Sequence, residues 1–180
     1  MQEQTMKSIA VVTGGAGFIG SHMVDLLLDE GFCVNIIDNF VGGSKKNLEH
    51  LKQNKRIKVW NEDIRNLKKN HEAFDKAKFV FHFAGIGDIV PSISNPVEYI
   101  NVNVIGTSCV LECSRFANVE KFVYAASSSC YGLASVPTDE NHVIDPMYPY
   151  ALSKYQGEQT AFHWHKVYNL SVNSVCIFNA

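Results

Sequence analysis

At 180 residues the chain fits one domain of the usual ~100–200 residues, and an apolar content of 46% supplies a full core. A formal net charge of −2 gives no support to a nucleic-acid or anionic-membrane partner, and no apolar run approaches the ~20 residues of a membrane span. The five cysteines are odd in number and never spaced Cys-x-x-Cys, which argues against both a disulfide framework and a zinc site.

The N-terminus lacks the form of a signal peptide, so the expected location is cytoplasmic. The first apolar run, residues 9–12, reads as a buried strand. It leads through Thr13-Gly14-Gly15-Ala16-Gly17-Phe18-Ile19-Gly20 into a helical pattern over 21–29, where Met23, Leu26 and Leu27 recur at helical spacing. Strand, glycine-rich turn and helix N-terminus together make a dinucleotide-binding element. Gly14 allows the tight turn, Gly17 lets backbone approach a pyrophosphate, and Gly20 lets helix pack on strand. The uncapped N–H groups and the positive end of the helix dipole would face the phosphates. The spacing is Gly-x-x-Gly-x-x-Gly rather than the commoner Gly-x-Gly-x-x-Gly.

A second strand over 33–38 ends in Asp38-Asn39-Phe40, with Asp38 placed 18 residues past Gly20. A carboxylate there would accept from an adenosine ribose and repel a 2′-phosphate, which selects NAD over NADP. Lys45, Lys46, Lys52, Lys55, Arg56 and Lys58 follow, interrupted by Glu49, Glu62 and Asp63; this reads as a solvated face. Strands are expected over 57–60 and 79–83. Asp63 follows the first of them, where it could accept from an adenine amino group or cap the next helix. Ala84-Gly85 follow the second, small enough for a ligand to pass close to the backbone. One long helix is predicted over 96–116, with polar Asn103 among apolar neighbours. Cys109 and Cys113 on it read as buried small residues. A fifth strand over 121–126 runs into Ser127-Ser128-Ser129. The alternation of strands and helices predicts an α/β fold, a Rossmann-like doubly wound parallel sheet with helices on both faces.

Pro149 stands where a first-turn proline opens a helix, here over 149–168. Tyr150 and Lys154, four apart, share one face of it. A free phenol with pKa about 10 is a poor base at neutral pH, but a nearby ammonium favours the phenolate. Ser127, at the end of a central strand, could bond the same substrate hydroxyl. His163 and His165, two apart, point to different sides of the helix and predict no metal site.

On these residues, with His82-Phe83-Ala84-Gly85, Asn103 and Gly106-Thr107, Ser127 to Gly132, Tyr150 to Lys154, and Phe178-Asn179 in order, the chain resembles the extended short-chain dehydrogenase/reductase family. Within it the chain is most similar to the NAD-dependent nucleotide-sugar 4-epimerases. The resemblance implies that Gly14, Gly17, Phe18 and Ile19 line the pyrophosphate. Asp38, Asn39 and Phe40 would hold the adenosine ribose, and Asp63 with Ile64 the adenine. Ala84, Gly85 and Asn103 would lie along the cofactor's inner half. Tyr150 is the expected acid/base, Lys154 binds the nicotinamide ribose and tunes Tyr150, and Ser127 orients a sugar C4 hydroxyl. Ser128 and Asn179 join Ser127 and Tyr150 on the substrate, a UDP-sugar or related nucleotide-sugar. The reaction implied is epimerisation at C4 through a transient 4-keto sugar.

Family dehydratases and decarboxylases carry acidic residues just after the catalytic Ser or Thr, where this chain has Ser128 and Ser129. Gly87 replaces a lysine with which some epimerases contact the cofactor phosphate. The family continues past this length with a smaller C-terminal substrate domain, so residues 1–180 are expected to be the NAD-binding portion, with that domain absent. Such a portion is expected to bind NAD weakly and not to turn over a UDP-hexose. A homodimer packing the helices over 96–116 and 149–168 is implied as well. The alternative from another class is a non-catalytic NAD-binding module that senses redox state or holds a partner.

Overall fold

The computed structural model describes residues 8–178. Six parallel strands form one sheet in the order β3-β2-β1-β4-β5-β6: β1 (Ile9–Thr13), β2 (Cys33–Ile37), β3 (Ile57–Trp60), β4 (Ala77–His82), β5 (Lys121–Ser127) and β6 (Val172–Ile177). The order reverses between β1 and β4, so the chain runs outward in both directions from the first strand. In open sheets of this kind, ligands bind at that switch point, outside the carboxyl ends of the strands.

Side chains alternate along each strand and separate two cores. Ala10, Val12, Val34 and Ile36 face α1 (Phe18–Asp29) and a short turn of helix at Lys45–Leu51, meeting Val24, Leu27, Leu28, Leu48 and Leu51. Val11, Ile37, Val80, Phe122 and Tyr124 face the opposite layer, where Val110, Leu111 and Ala161 cover them. That layer consists of α2 (Val90–Ser94), α3 (Pro96–Ile100), α4 (Thr107–Phe116) and α5 (Pro149–Tyr168). Helices on both faces are thus present as expected.

The local differences have physical causes. α1 starts at Phe18, one turn earlier than apolar spacing implied, because Gly17 itself is the N-cap. The long helix expected over 96–116 is continuous in space, but residues Asn101–Gly106 between α3 and α4 are π-helical. Asn169 ends α5 in the left-handed conformation, at φ 57°.

Candidate functional site

Thr13, Ile37, Trp60, His82, Ser127 and Ile177 all lie at the carboxyl edge of the sheet, and a cleft with two lobes opens above them. The lobes share Gly14, Gly17, Phe83, Gly85, Ile86 and Gly87 along their common wall. One lobe, of about 340 Å³, reaches Phe18, Ile19, Ser127, Tyr150, Lys154 and Phe178. The other, of about 440 Å³, reaches Asp38, Asn39, Asp63, Ile64, Arg65 and Glu98.

The glycine turn is built for close approach. Gly14 has φ +70°, and a Cβ there would lie 2.6 Å from the Ala84 nitrogen. No side chain caps the start of α1 and no acidic residue sits in its first turn, so the N–H groups of that turn face the shared wall of the cleft. The loop after β2 grips the turn. Asp38 Oδ2 accepts from the Ala16 N–H at 2.9 Å and Oδ1 from the Phe40 N–H at 2.8 Å. The Ala16 carbonyl in turn accepts from Asn47 Nδ2 at 2.8 Å and Ser44 N–H at 2.9 Å. Asp38 therefore holds the turn while lining the larger lobe, and its remaining lone pairs are what it can offer a ligand.

At the far wall of that lobe, Asp63 caps the short turn Ile64–Asn66. Its carboxylate also pairs with Arg65, at 2.7 Å from Nη2, and accepts from Asn39 Nδ2 at 3.1 Å. These bonds hold Asp63 down at about 2, with the Arg65 side chain the largest cause. Arg65 also pairs with Glu98 of α3 at 2.9 Å. Of the two roles open to Asp63 from sequence, the capping one is visible in the fold. Phe40, at φ 58°, carries Lys45 Nζ 5.5 Å from its ring centre.

In the smaller lobe, the Tyr150 hydroxyl donates to Ser127 Oγ at 3.3 Å, and Ser127 donates onward to Ser129 Oγ at 3.1 Å. Lys154 stands one helical turn along α5, its Nζ 4.6 Å from the Tyr124 ring centre. Burial pushes Lys154 down to about 8, against a smaller opposing pull from Glu158. Tyr124 donates its buried hydroxyl to the Lys154 carbonyl at 3.0 Å, and burial raises its pKa far above the ordinary value. Tyr99 of α3 meets Tyr150 edge-on at 6.3 Å and donates to the Gly87 carbonyl at 2.9 Å.

Asn103 lies in the π-helical segment with both ends of its amide hydrogen-bonded. Its Oδ1 accepts from the Ile86 N–H at 2.8 Å, while Nδ2 donates to the Ile86 carbonyl at 3.1 Å and to Ser153 Oγ at 2.9 Å. Gly85 is needed there, since a Cβ would lie 2.9 Å from Asn103 Oδ1. Ser128 begins the short helical turn Ser128–Tyr131 and lines neither lobe. Asn179 lies outside the described residues.

Sequence reading did not single out Tyr99, Tyr124 or Ser153 as site residues. Tyr99, four before Asn103 on the same helix, and Ser153, three after Tyr150, carried a positional signal; Tyr124 carried none beyond strand alternation. Among the described residues no cluster of His, Cys, Asp and Glu could hold a metal ion, and no helix is long and apolar enough to cross a membrane. Cys113 is buried and Cys109 half-buried, their thiols directed at the carbonyls of Lys68 and Arg65.

Comparison with known proteins agrees with this fold. The profile of the family described as GDP-mannose 4,6 dehydratase matches residues 11–180. A Methanocaldococcus jannaschii protein provisionally named UDP-glucose 4-epimerase is 39% identical over 163 residues, covering 89% of this chain and 52% of the relative. The UDP-N-acetylglucosamine 4-epimerase of Methanobrevibacter ruminantium, solved with UDP-N-acetylmuramic acid, superposes with a TM-score of 0.89 at 29% identity, over 96% of this chain and 55% of that one. The dTDP-glucose 4,6-dehydratase DesIV of Streptomyces venezuelae, solved with NAD bound, gives 0.87 at 30% identity, over 92% and 54%. The chain spans about half the length of the curated relatives it matches. A profile match running from β1 to Ala180, on a fold shared with epimerases and a dehydratase alike, places the chain in the extended short-chain dehydrogenase/reductase family, in the group described as GDP-mannose 4,6 dehydratase.

Proposed function

We propose that this chain carries the NAD-binding and acid–base part of a nucleotide-sugar 4-epimerase. The observation that carries the reading is the Tyr150 hydroxyl lying 3.3 Å from Ser127 Oγ, in a lobe that also exposes the N-terminus of α1. The residues fit a dinucleotide: a glycine turn with no room for a Cβ, an uncapped helix start, and two lobes joined along one wall. Gly14, Gly17, Phe18 and Ile19 would hold the pyrophosphate. Asp38, Asn39 and Phe40 would hold the adenosine ribose, Asp63 and Ile64 the adenine, and Ala84, Gly85, Asn103 and Lys154 the inner half. Asp38 supports NAD over NADP, and NAD is what the Streptomyces dehydratase holds. When bound, NAD supplies a hydride acceptor and donor.

The chain's own residues move the proton. Tyr150 takes the proton of the sugar's C4 hydroxyl as C4 is oxidised, and returns it once the 4-keto sugar has presented its other face. Ser127 donates to the same oxygen and keeps it against Tyr150. Lys154, still largely protonated at neutral pH with its pKa near 8, favours the phenolate electrostatically. Loss of water would need a further acid–base group beside the sugar. The smaller lobe has no carboxylate among its described lining residues, and Ser128 and Ser129 follow Ser127. This supports epimerisation over dehydration.

The substrate proposed is a UDP-hexose or UDP-N-acetylhexosamine, and the assembly a homodimer through the helices over 96–116 and 149–168. Ile105, Leu152 and Phe162 stand exposed on those helices. The test is an assay of the gene's full product with UDP-glucose and UDP-N-acetylglucosamine. The expected result is the C4 epimer with no net consumption of NAD. A 4-keto-6-deoxy product would overturn epimerisation in favour of dehydration.

A further inference from the structure

Beneath the floor of the cleft runs a connected set of polar side chains that the acid–base chemistry does not use. Thr13, His82, Asn103, Thr107 and Ser153 are each no more than 1% exposed. Thr13 Oγ1 lies 2.6 Å from His82 Nδ1 and accepts the Ala84 N–H at 3.3 Å. On the other side of the ring, His82 Nε2 lies 2.9 Å from Thr107 Oγ1. Thr107 donates its hydroxyl to the Asn103 carbonyl at 2.7 Å, while its own N–H goes to Val104. Asn103 Nδ2 donates to Ser153 Oγ, and Ser153 donates to the Tyr150 carbonyl at 2.7 Å. The set thus begins at the glycine turn and ends in the first turn of α5.

One arrangement of protons satisfies every member. Thr107 gives its proton to Asn103, with the Tyr124 hydroxyl oxygen the other acceptor beside it, so toward His82 it can only accept. The imidazole therefore carries its proton on Nε2. Bare Nδ1 then accepts from the Thr13 hydroxyl, whose oxygen accepts from Ala84. Burial holds His82 neutral, pushing its pKa down to about 3, and the Lys154 ammonium adds to that effect. Five buried polar side chains are costly to place, and an apolar set of the same shape would hold the sheet as well. What an apolar set would not do is fix direction. A fully paired network rigidifies a single arrangement. The π-helical stretch supplies the Asn103 carbonyl to it, in keeping with the tendency of such stretches to occur at functional sites.

We propose that His82 is a positioning residue which, as the Nε2-protonated imidazole between Thr13 and Thr107, fixes the glycine turn and the Tyr150 turn of α5 relative to each other. The proposal rests on the reading of the cleft as a dinucleotide site. Nitrogen-15 NMR of the chain reads the tautomer with no ligand present. It should show Nε2 protonated and Nδ1 bare, unchanged between about pH 5 and pH 8.

Calorimetric titration with NAD reads the coupling. Thr107→Val, which keeps the shape and loses the hydroxyl, should weaken NAD binding about tenfold, and Thr107→Ser should restore it to within about twofold. Thr13→Val combined with Thr107→Val should be no weaker than the worse single variant, because both break one connected set. A proton on Nδ1, a titration of His82 within that window, or fully additive effects of the two valine substitutions would overturn the proposal. Should the unsubstituted chain bind no NAD, the functional reading fails, and the tautomer still decides this one.

Discussion

Tyr150 owes its position to one helical turn. Pro149 opens α5, Tyr150 follows at its start, and Lys154 comes round to the same face with its ammonium against Tyr124. Replacing Tyr150 with phenylalanine removes the oxygen proposed to carry the proton and keeps the ring that packs edge-on against Tyr99. Tyr150→Phe in the gene's full product should bind NAD as before and lose ~10²–10⁴-fold in epimerase turnover. Turnover within a few-fold of the unsubstituted enzyme would remove Tyr150 from the acid–base role.

His82 offers a second test at the same scale. Its folded pKa near 3 lies below the ordinary 6.5, so between those values the unfolded chain binds a proton that the folded chain refuses. Stability should therefore rise with pH from about 3 to 6.5 and be lost as the solution is acidified through that window. The carboxylate of Asp63, lowered from 3.8 to about 2, adds its own loss only at lower pH. Urea midpoints at about pH 4.5 and pH 7 should differ less in His82→Gln than in the unsubstituted chain. An equal difference in both would show that His82 is not excluded from protonation by the fold.

At the scale of elements, the informative contact is between α5 and the π-helical stretch. Gly157 makes it possible: a Cβ there would lie 2.3 Å from Tyr124 Oη and 2.7 Å from the Asn103 carbonyl. Two effects compete in Gly157→Ala. Helix propensity favours alanine by about 1 kcal/mol, while overpacking against a backbone carbonyl that cannot turn away costs typically 1–3 kcal/mol. The second should win, lowering the melting temperature and weakening NAD binding through Asn103. A higher melting temperature with unchanged affinity would contradict the close packing.

The π-helical segment also marks a limit of sequence reading. The apolar period over 96–116 is that of one helix, and one helix is what forms; a local change in winding leaves that period almost intact. The direction of Asn103 could not be read from it. Asp38 shows the same division. Its place after β2 followed from the pattern of strand and turn, but its bonds to Ala16 and Phe40 depend on how residues 40–47 fold back. Asp63 left two roles open; the capping one is visible because Arg65 follows two residues later and donates its backbone N–H to the carboxylate, a contact that leaves the adenine role to the ligand test.

For the whole molecule, strand order explains why residues so far apart in sequence share one cleft. β1 and β4 are neighbours at the switch point, so the glycine turn and the Ala84-Gly85 segment face each other. β5 and α5 then bring Ser127, Tyr150 and Lys154 to the same edge. The alternation of strands and helices implied a doubly wound parallel sheet with the motifs at its strand ends, but not the strand order that makes β1 and β4 neighbours. Nor did it imply the loop contacts that divide the cleft into an acidic lobe and a reactive one. The acidic lobe, with Asp38, Glu62, Asp63 and Glu98 on its wall and Arg65 tied into two ion pairs, is the part that should discriminate between cofactors. Calorimetric titration of the 180-residue chain with NAD and, separately, NADP tests this most directly. Saturable one-to-one binding of NAD, with NADP at least about tenfold weaker, is the predicted result. Equal affinity for the two, or no saturable heat with NAD, would contradict it.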